Sequence, residues 1–293
     1  MSRDRGDKNL TGVGATAIGL ARLRAAESHR SDRLFDDPFA KEFVAASGAS
    51  PMTSDREPAG VWASIASSIP VRTRFIDDFV LDACGAGLRQ FVLVGAGLDM
   101  RAYRLPWPAG VRIFELDLGD VFSFKESVIT QHGWIPTPER IVVPCDLRGE
   151  WQRQLVSETF DEAQPTAWVL EGLLIYLSDE ENDHLIDQIG AHSAPSSRMA
   201  LAHHSRAGLE KLRGALHNYR DQTASDIQAM WRSGLAEDPM AWLARHGWRA
   251  TVFDPAERAV HYDRPPAAAG ESRFPTASTW FITAERDPEA GNW

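Results

Sequence analysis

The sequence predicts an α/β fold: an open, doubly wound, mostly parallel sheet with a helical N-terminal lid. Three observations lead there. Residues 1–90 contain no run that alternates as a strand would. Beyond them, short β-rich apolar runs recur with helical segments between them, the pattern of a sheet covered on both faces. The first of these runs ends in a glycine turn, "VLVGAG", and the next ones end in carboxylates, "FELD", "PCD" and "VLE". Carboxyl ends of strands are where such sheets bind ligands.

The elements follow in order. Residues 12–30 read as a helix with Ile18, Leu20, Leu23 and Ala26 on or near one face. In "DRLFDDPFAKEFVAASG", Asp37 caps before Pro38, which opens a short second helix that Gly48 ends, while Leu34, Phe35 and Phe39 anchor it. Residues 49–60 look like a loop. Residues 61–84 are helical again, with Pro70 marking an interruption or a fresh start. "QFVLVGAG" is a strand followed by a loop, and further strands are predicted in "RIFELDLGD", "RIVVPCDLRG", "TAWVLEGLLIYLS" and "SRMALAHHS", with helices over 119–131, 150–158 and 179–192. Residues 207–232 are charged and helical enough to cross or cap the sheet. "DPMAWLARHGW" is a cleaner helix, with Asp238 as N-cap, Pro239 at N1 and Gly247 as the stop. "RATVFD" and "STWFITAER" are the last strands, and "PAERAVHYDRPPAAAGESRFP" between them is a long proline-rich loop. The expected division is a helical lid over 1–90 and a catalytic domain over 91–293, with 205–235 as a substrate-side cap.

Composition narrows the function classes. Of 293 residues, 31 are Lys or Arg and 41 Asp or Glu, a formal charge of −10 that repels nucleic-acid phosphate and anionic lipid. No segment approaches the roughly 20 apolar residues of a membrane span. Cys84 and Cys145 form no disulfide framework or metal spacing, so a reduced cytoplasmic chain without a metal centre is expected. A small-molecule substrate is the simplest reading; oligomeric state is left open.

The glycine turn raises the cofactor question. Gly95 and Gly97 remove side chains where the main chain passes close to a ligand. A dinucleotide fingerprint would need a third glycine where this chain has Met100, which disfavours an NAD-linked oxidoreductase. A nucleoside cofactor without a pyrophosphate needs fewer bare amides. Asp117, at the end of the second strand, can accept both ribose hydroxyls, with Glu115 as its competitor. Asp146 and Leu147 in "CDLR" occupy the same sheet edge, as acceptor for an exocyclic adenine amine and as apolar wall. Glu171 interrupts "AWVLEGLLIYL", where a charge is costly unless it meets a partner such as a cationic amine.

The chain resembles the S-adenosylmethionine-dependent methyltransferases of the leucine carboxyl methyltransferase type, most of all an actinobacterial branch that includes polyketide carboxyl O-methyltransferases. The matching pieces are "ARLRAAESHRSDRLFDDPFA", "VRTRFIDDF", "VLVGAGLDMRAYRL", "FELD", "CDLR" and "VLEGLLIYLSDEEN". They cover residues 15–200 densely and the last strands loosely. The resemblance implies a Rossmann-like methyltransferase sheet and S-adenosyl-L-methionine as cofactor. It places Arg72 on the methionine carboxylate, Gly95 and Gly97 along methionine and ribose, and Asp117 on the ribose diol. Asp146 and Leu147 then frame the adenine, and Glu171 faces the amino group. A zwitterionic amino acid needs one fixed cation and one fixed anion, and arginine supplies planar bidentate geometry. Arg74 is close enough in sequence to compete with Arg72, although a helix there would turn the two apart.

The substrate side is less defined. A carboxylate of a small metabolite such as a polyketide needs orientation but no general base; a phenolic or alcoholic hydroxyl would benefit from one. Tyr176, His203, His204 and Arg206 are the candidate catalytic residues. Where this chain has "LAHHSR", members of the resembled group often carry an acidic residue, and in a regular strand only one histidine of the pair faces the pocket. Arg24, Glu27 and Arg30 could contribute to the lid, and Trp62, Trp107, Trp134 and Trp231 could form aromatic walls. A protein that retains the cofactor but has lost catalysis is the non-enzymatic alternative.

Overall fold

A computed structural model describes residues 10, 12–49, 61–217, 228–264 and 279–287. Seven strands form one sheet: β1 (Gln90–Val94), β2 (Arg112–Asp117), β3 (Glu139–Pro144), β4 (Thr166–Leu170), β5 (Arg198–His204), β6 (Trp248–Phe253) and β7 (Thr279–Arg286). Their order is β3-β2-β1-β4-β5-β7-β6, with β1 to β5 parallel and β7 running antiparallel between β5 and β6. The order reverses between β1 and β4. There the crossovers leave in opposite directions and a crevice opens at the carboxyl ends of the strands.

Strand alternation divides the core into two layers. Phe91, Leu93, Ile113, Ala167, Val169 and Ala200 pack on Val71, Phe75, Ile76, Phe79 and Val80 of α3 (Val61–Gly85). Val92, Val94, Phe114, Leu116, Trp168, Leu170 and Leu201 face the other way. They meet Trp151 of α6 (Trp151–Ser157), Leu185, Ile186 and Ile189 of α7 (Asp179–Ala191), and Trp242 of α9 (Pro239–Arg245). Central strands buried on both faces in this way read as continuous apolar runs.

A third cluster seats the N-terminal helices. Ala21 of α1 (Val13–Ser28) and Ala40, Phe43 and Val44 of α2 (Ala40–Ala46) pack on Phe124, Val128 and Ile129 of α5 (Gly119–His132). Met100 joins this cluster, fully buried, just before the short α4 (Arg101–Arg104). The residue that spoils the glycine fingerprint is thus an anchor for the helical segment. Asp37 accepts from the amides of Phe39 at 3.2 Å and Ala40 at 3.1 Å and from Arg24 Nε at 3.1 Å, so one carboxylate both caps the turn into α2 and ties it to α1.

Four sequence expectations change. The fourth strand ends at Leu170 rather than running on to Ser178, because the chain turns at Gly172 into a 3-10 turn over Leu174–Tyr176 and Ser178 caps α7. Pro70 does not interrupt α3, which runs unbroken through it. Its neighbours Ile69 and Val71 are buried, and that packing holds the helix through one missing backbone donor. The proline-rich loop after β6 contains α10 (Pro255–His261), started by Asp254, whose carboxylate accepts from the Ala256 amide at 2.6 Å. α4 was not anticipated. Residues 50–60 and 265–278 of the expected loops, and 218–227 of the expected cap, lie outside the described residues. Of that cap, α8 (Arg206–His217) is described. Among the described residues no helix is long and apolar enough to cross a membrane.

Candidate functional site

At the crevice between β1 and β4 lies a cleft of about 220 Å³. Its floor is made by loops that leave the carboxyl ends of β1, β2, β3 and β4, and its roof by α1. Thr16, Ala17, Leu20 and Arg24 line it, a helical spacing that turns one face of α1 toward the sheet. Arg72, Gly95, Gly97, Asp117, Asp146, Leu147, Glu171 and Tyr176 all line the same cleft. His203, His204 and Arg206 do not.

The glycine turn is held by its neighbours. The amides of Gly95 and Ala96 both donate to the Leu116 carbonyl at 2.9 Å. Gly95 adopts φ 69° and Gly97 φ 50°, the left-handed region that side chains rarely enter. A Cβ on Gly95 would sit 3.0 Å from Leu173, so the bare backbone also keeps the cleft open. Asp117 closes the turn from β2: Oδ2 accepts the Gly97 amide at 2.6 Å and Oδ1 the Leu118 amide at 2.7 Å. Burial pushes its carboxyl above the usual range, outweighing these two amides. Its competitor Glu115 is fully buried under α5, bonded to Lys125 Nζ and Arg140 Nη2 at 2.7 Å each.

At the β3 end, Asp146 accepts from Arg148 Nη2 at 2.6 Å and Nε at 2.9 Å, and this pair holds its carboxyl below the usual range. Next to it, burial pushes the Cys145 thiol up to about 12, so the sulfur stays protonated.

The β4 end carries the charges. Glu171 Oε1 accepts from Arg72 Nε at 3.1 Å and Thr73 Oγ1 at 3.3 Å, and Oε2 pairs with Arg101 Nη2 at 2.8 Å. Burial works to raise this carboxyl, but the guanidiniums of Arg101, Arg72 and Arg24 outweigh it and hold it well below the carboxylate range. Gly172, at φ 68°, leaves room for Arg72: a Cβ there would come within 3.2 Å of Nη2. Arg74 turns away, to Asp78 and the Leu34 carbonyl. A capping box on Ser178 and Glu181 fixes the chain after β4, and Tyr176 just before it donates to Thr16 Oγ1 of α1 at 3.3 Å.

The remaining candidates lie elsewhere. His203 is buried beside Trp242, its Nδ1 without a partner among the described residues, and burial, with a smaller effect from His204, pushes the imidazole down to about 3. His204 Nδ1 meets Thr279 Oγ1 at 2.9 Å. Arg206 pairs with Asp179 on the rim of a separate, wider hollow that includes Leu235 and Trp280. Glu27 lies outside the cleft, in a bidentate pair with Arg264. Trp107 packs on Phe91 and Trp134 on Phe39; neither these nor Trp231 line the cleft, and the Trp62 side chain lies outside the described residues. Sequence reasoning missed Asp99 and Arg101. Their signal was the unexplained charge pair in "GLDMR", directly after a buried strand.

The family model described as leucine carboxyl methyltransferase matches residues 17–190. A Frankia alni protein named as an S-adenosyl-L-methionine-dependent methyltransferase is 43% identical over 270 residues, 90% of this chain and 92% of that one. A Streptomyces coelicolor protein of the same name is 43% identical over 259 residues, covering 87% and 89%. Among solved structures, a methyltransferase-type protein from Thermobifida fusca superposes with a TM-score of 0.54 at 16% identity, covering 91% of this chain and 94% of that one. At that identity the last likeness speaks for the fold alone.

Proposed function

We propose, for a chain that belongs to the leucine carboxyl methyltransferase family, that the cleft binds S-adenosyl-L-methionine and serves methyl transfer to a carboxylate oxygen of a small metabolite. The observation that carries this reading is the division of charge in one cleft. The Arg72–Glu171 pair stands at the β4 end, and Asp117, Asp146 and Leu147 line the side formed by β2 and β3. The first pair offers a cation and an anion to an amino acid; the second group offers acceptors and an apolar wall to a nucleoside. The donor set fits the cofactor, and so does the cradle at Gly95, which a methyl group would close against Leu173.

When bound, the cofactor supplies an electrophilic methyl group on a sulfonium whose positive charge disappears during transfer. The chain supplies position. Asp117 accepts the ribose hydroxyls, Asp146 the adenine amine, Glu171 the ammonium, and Arg72 donates to the carboxylate. The roof of α1, joined to the floor through Thr16 and Tyr176, excludes water and holds the reacting groups in line.

The placement of the histidines favours a carboxylate acceptor over a hydroxyl. A carboxylate is ionised at neutral pH and needs no base, whereas a hydroxyl benefits from one with a pKa near the operating pH. Among the described residues no histidine lines the cleft, and His203 is held neutral inside the core. Labelled-methyl incubation with a library of organic acids and phenols, followed by mild alkali, tests the reading. An alkali-labile product supports carboxyl transfer, and a base-resistant ether refutes it.

A further inference from the structure

Beneath Glu171 lies a web of buried charge that the cofactor assignment does not use. Arg101 opens α4 and is 1% exposed. Its Nε donates to Asp77 Oδ1 at 2.7 Å, its Nη1 pairs with Asp99, and its Nη2 serves Glu171 Oε2 at 2.8 Å and the Thr73 carbonyl at 3.2 Å. Asp77 also takes both Nη groups of Arg104 at 2.6 Å. Asp77, Asp99 and Glu171 are thereby matched by Arg72, Arg101 and Arg104, a neutral set drawn from α3, the glycine loop, α4 and the end of β4. Four contacts from one rigid planar fork to four acceptors leave the Arg101 guanidinium one orientation.

The two oxygens of Glu171 are consequently unlike. Oε2 is bound from beneath by Arg101, which sits out of the cleft lining, while Oε1 faces Arg72 and Thr73. Arg72 uses only Nε on Glu171; Nη1 and Nη2 make no hydrogen bond among the described residues and pass beside Gly172. The fork of Arg72 is therefore open to a carboxylate while Glu171 stays in place.

Building on the cofactor reading above, we infer that Arg101 is the positioning residue for the amino-acid end of the ligand: by fixing Oε2 it aims Oε1 of Glu171 into the cleft as the ammonium acceptor. The groups that face Glu171 are Arg72 and Thr73 from α3, Arg101 from α4, Asp99 from the glycine loop and Arg24 from α1. With three guanidiniums among them, the carboxylate keeps its charge throughout the mildly acidic range.

Two probes isolate this role. S-Adenosylhomocysteine and 5′-methylthioadenosine share adenine, ribose and sulfur, but only the first has the amino-acid end. Calorimetry on the full chain should show Arg101→Lys losing about tenfold or more in affinity for S-adenosylhomocysteine, the loss expected for one mis-aimed charge-assisted hydrogen bond. Affinity for methylthioadenosine should stay within about threefold. Glu171→Gln should lower the same ratio. Equal weakening of both ligands would mean a merely structural arginine and would overturn the inference. The wild-type protein provides a second test that needs no folded variant: the affinity ratio should be flat from about pH 8 to pH 5. A ratio that falls on acidification would show Glu171 losing its charge and would equally overturn it. If the wild type binds neither ligand, the cofactor reading itself fails; if it binds both and Arg101→Lys leaves the ratio unchanged, only the role of Arg101 fails.

Discussion

Asp117→Asn is the most informative single change, because the two oxygens of Asp117 already hold the glycine turn and the start of the next loop. They accept the Gly97 and Leu118 amides at 2.6 and 2.7 Å, and each oxygen keeps a further lone pair for a ribose hydroxyl. A carboxamide keeps one acceptor oxygen and turns an NH2 toward the other amide. One ribose hydroxyl then loses its acceptor and the second loses a charged one. Hydrogen bonds to charged groups are worth about 1.5–3 kcal/mol each, so a loss of about 2–4 kcal/mol is expected, or about 30- to 700-fold in affinity. Folding stability should change by less than about 1 kcal/mol, since removing a carboxylate whose burial is unfavourable offsets the lost main-chain bond. Calorimetry with S-adenosylhomocysteine and its 2′-deoxy analogue separates the contributions. The wild type should prefer the ribose form and the variant should be nearly indifferent. If Asp117→Asn binds S-adenosylhomocysteine within threefold of wild type, or keeps the wild-type preference for ribose, Asp117 does not hold the diol.

Four further outcomes follow from the same geometry. Gly95→Ala places a side chain at φ 69° and 3.0 Å from Leu173, so thermal denaturation should show a loss of about 1–2 kcal/mol with weaker methylthioadenosine binding; an unchanged melting point refutes it. Because burial raises the Asp117 carboxyl and ribose donors need it ionised, methylthioadenosine affinity should fall on acidification before the ordinary aspartate range is reached, and Asp117→Asn should abolish that fall. The His203 imidazole is depressed to about 3, so its contribution to stability is present above the unfolded value near 6.5 and is lost as pH falls toward 3, at up to about 1.4 kcal/mol per pH unit. Urea denaturation at pH 7 and pH 5 should show His203→Leu losing less stability than wild type, with methyl transfer retained; equal losses refute the buried neutral state. Lys125→Met strips one partner from fully buried Glu115, and since Arg140 remains, denaturation should report a loss near the low end of about 3–5 kcal/mol.

What was legible in the sequence was mostly local. Asp238 followed by Pro239 announces a helix start, and the structure starts one there with the Asp238 side chain on the amides of Met240 and Ala241. The same pair at Asp254 and Pro255 starts α10, but the prolines and glycine after it gave the whole segment the look of a loop. Asp117 could be picked over Glu115 because strand ends face ligands, whereas the partners that hide Glu115, Lys125 and Arg140, belong to different elements. Arg101 shows the limit of such reading. Its acceptors lie at residues 73, 77, 99 and 171, and no spacing rule links those positions before the chain folds. Met100 reads as a missing glycine only until α1 and α2 are seen packed around it.

The neutral charge set beneath the cleft also bears on rate. An uncompensated carboxylate close to a cationic reaction centre would stabilise the ground state more than a transition state in which that charge is fading, and it would slow transfer. Glu171 pairs with both Arg101 and Arg72, so under the proposed reading it would orient an ammonium without adding a net negative field. The same compensation explains how Glu171 and Asp99 tolerate their positions at the edge of an apolar core: each has a guanidinium partner there. On the proposed reading, an amino-acid end fixed by this network, rather than by one exposed charge, would leave the remaining freedom of the site to the acceptor, whose orientation and desolvation would then set the rate.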